Sequence, residues 1–387
     1  MHVGVDATCW LLPRGFGRHA RCLLRALTEL DSPHTYTFFT DAPDAVAEFP
    51  KSVRVQLVPA SLPTTAAAAA HGRRRLRDLL AMSRALGDPS IDVLLFPTIY
   101  SYVPVLSRAR KVVVIHDTTA ERFPRLTLDG RAARMFWRVK VALGRRQASV
   151  LATVSEYSRT LIAKQFGVDE ADVHVVGEAA DPIFRRLETP APTSRLREAG
   201  VAGTRRLVVY VGGFSPHKNI DRLFDAFGRL QEDAAFNDVD LALVGEYESE
   251  AFFSCYTNIR RLVADRGLLG RVFFTGYLPD DDLVVLLNLA TVLVLPSLTE
   301  GFGLPAIEAA ACGCPVIATS ASPLPAILQG GGLYVDPSRP LDLDRALRTV
   351  LESPALRRQM REAGLAAAAR LSWTAAARQL LGLMEMR

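Results

Sequence analysis

Cysteine is scarce in this chain. Five occur among 387 residues (Cys9, Cys22, Cys255, Cys312 and Cys314), an odd number at wide spacing, which excludes a disulfide scaffold. Cys312 and Cys314 flank one glycine, but no second Cys or His pair stands beside them. Both read as buried thiols, and no metal site is expected. Long apolar runs are missing as well: no stretch approaches the roughly 18 residues that a membrane-spanning helix needs. The opening MHVGVDATCW lacks the basic-then-apolar layout of a signal peptide. The expectation is a soluble protein with reduced thiols, in the cytoplasm. Recognition-helix and RNP-type motifs are absent, so nucleic acid is not an expected partner.

What is present is the composition of a globular chain, 49% hydrophobic and 22% charged. The length suits two or three domains at roughly 150 residues each. Net charge is +5, unevenly placed: residues 1–187 hold 26 Lys and Arg against 18 Asp and Glu, and the remainder holds 20 against 23. A basic front half suits an acidic substrate or an anionic surface, although an Arg- and Ala-rich coding bias would produce the same surplus.

Short β-branched runs alternate with helical stretches from end to end. Expected strands are His2–Asp6, Tyr36–Thr40, Val53–Val58, Val93–Phe96, Lys111–Ile115, Ser149–Val154 and Val173–Val176. Between them lie helical patterns at Gly17–Leu30, Arg73–Leu86, Arg131–Arg146 and Tyr157–Phe166. Several strands are apolar throughout, as strands covered on both faces must be. A Pro-, Thr- and Gly-bearing break follows at 185–205, and the alternation restarts with Leu207–Val211, Leu241–Val244, Val272–Thr275, Val292–Leu295, Val316–Ala318 and Leu333–Val335. The pattern predicts two Rossmann-like α/β domains with parallel sheets, and a ligand cleft between them.

Four segments carry chemistry. In PSLTEGFGLPAIEAAACGCPVIAT (296–319), Gly301 and Gly303 let the backbone approach a ligand, and Pro305 suits the first turn of a helix. The amides at that helix start suit a phosphate. Glu300 and Glu308, eight positions apart at one strand–helix junction, suit the hydroxyls of a sugar or a ribose. In VVYVGGFSPHKNI, Gly212, Gly213 and Lys218 suit a diphosphate, but His217 stands where a Walker A loop needs its second glycine. In KVVVIHD a strand ends in His116 and Asp117, the edge where such sheets bind ligands. RGFGRHA has dinucleotide-fingerprint spacing, G-x-G-x-x-A, but eight residues separate Asp6 from Gly15. It therefore reads as a mobile glycine loop beside the cleft. Arginines at 73, 74, 75 and 77, and at 131, 134, 138, 145 and 146, suit either an anionic membrane or a plain solvated helix face.

These motifs together resemble the GT-B glycosyltransferases of family 4, in its bacterial mannosyltransferase-like branch. The sharpest part is the E-x7-E motif EGFGLPAIE, Glu300 to Glu308; SEYS (155–158) and DPIF (181–184) also match. The resemblance implies a GT-B fold, two Rossmann-like domains facing an interdomain cleft. An acceptor-binding domain is expected over 1–187 and a nucleotide-sugar-binding domain over 188–370, with a C-terminal helix, 371–387, packing back on the first. It implies a retaining hexosyltransferase of mannose or glucose type, using a GDP- or UDP-linked sugar and a hydroxyl acceptor, whether a lipid-linked glycan, a polysaccharide or a small natural product; the basic helices suit peripheral membrane contact. No cofactor or metal is implied. Glu300 would contact the donor sugar and Glu308 the ribose, while Phe302, Gly303 and Leu304 meet the diphosphate or sugar. Gly15, Gly17 and Arg18 would approach the diphosphate, and His116 would lie near the transferred sugar.

Two departures stand out. Gly213 occupies a position where many members carry Arg, leaving Lys218 with His217 or Arg18 to supply the charge; Ala326 follows Pro325 where members usually carry Glu. The competing functions are a nucleotide-sugar epimerase of the same fold, an NAD-dependent oxidoreductase and a non-catalytic carbohydrate- or nucleotide-binding subunit. The acceptor loops are expected at 8–18, 59–72 and 97–108, where Tyr100 and Tyr102 either stack on a sugar or pack the loop.

Overall fold

The computed structural model describes residues 1–12, 15–62, 64, 75–246 and 256–386. Arg14, the alanine run 66–70, Arg73, Arg74 and Cys255 lie outside the described residues. The chain divides into two compact units, Met1–Glu178 with Ser372–Arg387, and Ala179–Leu371.

The first unit holds strands β1 (His2–Asp6), β2 (Thr35–Thr40), β3 (Arg54–Leu57), β4 (Val93–Phe96), β5 (Arg110–Val114), β6 (Val150–Thr153) and β7 (Val173–Val175), in the order β3-β2-β1-β4-β5-β6-β7. The second holds β8 (Arg206–Val211), β9 (Val239–Val244), β10 (Val272–Gly276), β11 (Val292–Leu295), β12 (Val316–Thr319) and β13 (Gly332–Val335), in the order β10-β9-β8-β11-β12-β13. Every ladder is parallel. Parallel neighbours need a crossover, and helices supply most of them. In the first unit these are α1 (Gly15–Glu29), α2 (Leu76–Leu86), α3 (Gly130–Gln147) and α4 (Glu156–Phe166). In the second they are α5 (Ile220–Gln231), α6 (Tyr256–Asp265), α7 (Asp280–Leu289) and α8 (Leu304–Ala311), followed by α9 (Asp342–Glu352) and α10 (Pro354–Ala368). The last helix, α11 (Trp373–Glu385), packs on α1.

The central strands are dry because their residues are apolar on both faces: Val93–Phe96 and Val292–Leu295 are buried throughout. On α1, Leu23, Leu24 and Leu27 form one stripe with no exposed surface. Each such side chain contributes about 2 kcal/mol through burial. β3 differs. All four of its residues are exposed, as befits an edge strand. Burial also sets the thiols: it pushes Cys312 up to about 12, beside Glu308, so the thiol is inert at neutral pH. No helix among the described residues is long and apolar enough to cross a membrane.

One expectation is corrected here. Gly15 and Gly17 are the first turn of α1, not a mobile loop. A Cβ at Gly17 would stand 2.1 Å from the Leu12 carbonyl oxygen, so the glycine is required by close packing of the helix start on backbone.

Candidate active site

Both sheets reverse their strand order at one place, between β1 and β4 and between β8 and β11. The loops that leave the carboxyl ends of those strands diverge there, which opens a crevice for ligands. The expected residues of the second unit lie on such loops. β8 leads to Gly212, Gly213 and the turn Pro216–Lys218; β11 leads to Ser297, Glu300 and the start of α8.

Two bonds splice these loops. The Leu298 N–H donates to the His217 carbonyl at 2.9 Å, and the Asn219 side-chain amide donates to the Pro296 carbonyl at 3.0 Å. Asn219 adopts left-handed geometry, φ 57°, to turn the chain into α5. The splice delivers Lys218 to Glu300: Nζ donates to Oε1 at 2.8 Å, and the Ser297 hydroxyl donates to the same oxygen at 2.6 Å. Burial works to raise the Glu300 carboxyl. Lys218, with Ser297, outweighs it and holds the group below the usual carboxylate range.

α8 starts from Gly303, at φ 89°, with Pro305 in its first turn. A Cβ at Gly303 would meet Leu324 at 2.9 Å, so conformation and space both call for glycine. Phe302 and Leu304 are buried beneath this helix start, and Glu308 sits in the same helix at 2% exposure. A Cβ at Gly213 would meet nothing within 4 Å, so the loop presents bare backbone there. An anion beside Lys218 and the α8 N-terminus meets a cation and oriented amides.

In the first unit, His116 follows β5. Its Nε2 lies 3.1 Å from the Pro97 carbonyl and its backbone carbonyl accepts from the Ser158 hydroxyl at 2.8 Å. The SEYS segment is therefore a scaffold, in which Ser155 caps α4 and Ser158 holds the His116 backbone. Burial lowers the His116 imidazole to about 4, so the ring is neutral at physiological pH. Asp117 does not orient it through a bond: its Oδ1 accepts from the Thr119 N–H at 2.8 Å and shapes the following turn. Two residues outside the expected set stand against His116. His19, inside the RGFGRHA segment, packs edge-on at 4.4 Å between ring centres, and Glu178 places Oε1 3.7 Å from Nδ1. The sequence signal for them was thin, a second histidine beside Arg18 and an acid three residues before DPIF. Arg18 lies on α1, one residue before His19. Tyr102 is core, 2% exposed with its hydroxyl donating to Gln147 at 2.7 Å. Tyr100 stacks on Phe16 at 4.9 Å and leans on Trp137 at 5.0 Å.

Two parallel α/β sheets, each reversing its strand order once, form the GT-B fold, an architecture shared by solved enzymes over the full chain. WaaG, a glycosyltransferase of lipopolysaccharide biosynthesis, aligns over 100% of both chains with TM-score 0.74 at 17% identity. HepE from Anabaena, solved with UDP-glucose, aligns over 99% of this chain and 98% of its own with TM-score 0.74 at 19% identity. The chain belongs to family 4 of the glycosyltransferases: the family described as "Glycosyltransferase Family 4" matches residues 13–182, and "Glycosyl transferases group 1" matches 194–366. It is 30% identical to the MMP alpha-(1->4)-mannosyltransferase of Mycolicibacterium hassiacum over 81% of this chain and 72% of that protein. The O-antigen chain mannosyltransferase B of Escherichia coli is 29% identical over 68% of this chain and 67% of its own. The protein is thus an enzyme that transfers a sugar from a nucleotide sugar.

Proposed function

We propose that the enzyme moves a hexose of mannose or glucose type from a GDP- or UDP-linked donor to a hydroxyl, with retention at the anomeric carbon. The observation that carries this reading is the Lys218–Glu300 pair, 2.8 Å apart at the β8/β11 switch point beside the start of α8. The mannosyltransferase relatives support the sugar, and the UDP-glucose complex of HepE supports a nucleoside diphosphate.

The bond from the anomeric carbon to the diphosphate breaks, and its electron pair goes to the phosphate oxygen. Lys218 and the amides at Gly303 and Leu304 stabilise that growing charge, aided by His217 and the bare backbone of Gly213. These groups supply the positive charge for departure, so no metal is required. The acceptor oxygen attacks from the same face, and its proton passes to the departing phosphate. Glu300 holds sugar hydroxyls, Glu308 the ribose, and His116, neutral and part-buried, lies against the sugar. We assign the acceptor to the first unit and the nucleotide to the second.

A melting-temperature screen against UDP, GDP, ADP and dTDP, with NAD as control, tests the donor. A ligand at a hundredfold excess over Kd stabilises by about 2.7 kcal/mol. One diphosphate should shift the wild type and fail to shift Glu308→Ala. A shift with NAD alone would sink the reading. His116→Ala should keep the nucleotide shift and lose turnover, and conversion of the nucleotide sugar with no acceptor present would mark an epimerase instead.

The acceptor is proposed to be membrane-associated, on the strength of α3. Met135, Phe136 and Val139 are 50–60% exposed on this helix, beside exposed Arg131, Arg138 and Arg146. Apolar anchors among cations suit an anionic lipid surface. Sedimentation with phosphatidylglycerol vesicles should capture the protein and phosphatidylcholine vesicles should not. Phe136→Ser with Val139→Ser should abolish capture; unchanged capture would dismiss α3 as the contact.

A further inference from the structure

Three side chains from separate segments converge inside the first unit. His19 comes from α1, His116 follows β5 and Glu178 follows β7. Among the described residues no other set of three histidines, cysteines or acids brings its donor atoms within 4.8 Å of one another. Glu178 Oε1 stands 2.6 Å from His19 Nδ1 and 3.7 Å from His116 Nδ1, and the two rings meet edge-on with centres 4.4 Å apart. His19 and Glu178 are 0% and 3% exposed, His116 12%. Trp373, edge-on to His19 at 5.7 Å, adds apolar cover.

Hydrogen bonds do not account for this arrangement. Neither ring nitrogen of His19 has a hydrogen-bond partner, although the ring is fully buried. A buried polar group left unpaired carries the full cost of leaving water, and a bound ion is one explanation of such a group. The Glu178 oxygen is near enough to Nδ1, but it lies off the direction a hydrogen bond needs. At His116 the Pro97 carbonyl can only accept, so it takes the proton of Nε2. That leaves Nδ1 of the neutral ring as a lone pair facing the carboxylate oxygen. Lone pairs and a carboxylate repel one another. A cation among them turns each of these repulsions into an attraction.

The distances suit such an ion. With bonds of about 2.0–2.1 Å, ligands 2.6 and 3.7 Å apart subtend roughly 80° and 130°, on either side of the tetrahedral angle. In the closer pair each lone pair then points at the ion, roughly 50° away from the other ligand atom, which is why the short contact fails as a hydrogen bond. Two imidazoles and one carboxylate are a zinc donor set that leaves a fourth position open. The bond from His116 Nε2 to the Pro97 carbonyl is the outer support that ligating histidines carry, because it fixes the tautomer with Nδ1 turned to the metal.

We infer that His19, His116 and Glu178 bind one divalent ion of zinc type, which ties α1 to the segments that follow β5 and β7. The ion is structural. All three ligands belong to the first unit, whereas Lys218 and the α8 amides belong to the second, so the reading of sugar transfer does not depend on it. His116, the most exposed ligand, marks the side from which an ion enters.

The experiment takes tag-free protein, strips it with EDTA and titrates it with Zn²⁺, with Mg²⁺ as control. Zinc should bind at one ion per chain by calorimetry and persist through desalting in metal analysis. At a hundredfold excess over Kd it should raise the melting temperature by about 5 °C or more. Magnesium, which prefers oxygen ligands, should do neither. His19→Gln and Glu178→Gln should each weaken zinc binding at least about a hundredfold, since even a lost outer-shell partner costs 10- to 100-fold. Far-UV circular dichroism like that of the wild type shows that the variants fold. Absence of stoichiometric zinc on the wild type would overturn the proposal, and so would zinc that both variants bind as tightly as the wild type does. Metal content is read on the free enzyme, so a failed nucleotide screen leaves this result standing.

Discussion

Lys218→Met is expected to lower kcat/KM at least about a hundredfold, because one preorganised donor to a developing anion is worth that much. It should also cost stability. Glu300 is 13% exposed and Lys218 26%, so removing the cation strands a largely desolvated carboxylate. Breaking a buried pair costs about 3–5 kcal/mol, and the partial exposure of Lys218 points to about 3 kcal/mol. The double variant Lys218→Met with Glu300→Gln removes both charges, so it should recover most of the stability and none of the activity. Urea melts and initial rates on the four proteins of the cycle separate the two roles. A single variant that melts like the wild type would mean the pair is solvent-screened and contributes nothing to the fold.

The pair also fixes the sign of a pH dependence. The folded Glu300 carboxyl lies below its ordinary value: burial opposes this, and Lys218 and Ser297 overcome it. Its contribution is therefore fully present above the unfolded carboxylate pKa of about 4.3 and is lost as pH falls through the folded value. In Lys218→Met the burial remains and the cation does not, so the folded pKa rises above the unfolded one. That variant should gain stability relative to wild type as pH falls from about 6 to 4. Parallel pH profiles for the two proteins would refute this account.

Why the fold was legible and the pairing was not has a physical reason. A strand buried on both faces must be apolar at every position, and runs such as VLLF and VLVL announce it locally. Each of the thirteen expected strands has an observed counterpart, with ends moved by a residue or two. The helix start at Gly303 was legible for the same reason: left-handed backbone and a proline in the first turn leave a local trace. The Lys218–Glu300 bond joins residues 82 apart and the His19–Glu178 contact crosses most of the first unit. Neither leaves a periodicity or a spacing. Residue type pointed Lys218 to a phosphate, and the family resemblance pointed Glu300 to a sugar; the ion pair between them needed the switch-point topology. Tyr102 went the other way, since an aromatic in a loop near a sheet edge reads alike whether it faces substrate or packs the core.

The two glycines of RGFGRHA look equivalent in sequence, yet Gly17→Ala and Gly15→Ala should differ sharply. At Gly15 a Cβ would meet nothing within 4 Å, so alanine should be neutral or slightly stabilising in a helix start. At Gly17 it would stand 2.1 Å from Leu12 O and 3.1 Å from Cys9 O, both main-chain atoms. Neither side can give way easily. The 9–12 turn is pinned by the Leu12 N–H to Cys9 carbonyl bond and by Trp10, fully buried with its ring 4.9 Å from that of Phe49. The guanidinium of Arg21 binds the Trp10 carbonyl. On the other side, Leu23, Leu24 and Leu27 lock α1 into the core. Overpacking against rigid neighbours costs up to about 3 kcal/mol, which should appear as a melting temperature several degrees lower. The catalytic loss should exceed the thermal one, because His19 follows two residues later on the same helix and any shift of α1 moves it against Glu178 and His116. Gly17→Ala with wild-type melting and wild-type kcat would show that the helix start is not fixed by that contact, and with it the geometry assigned to His19 would fall.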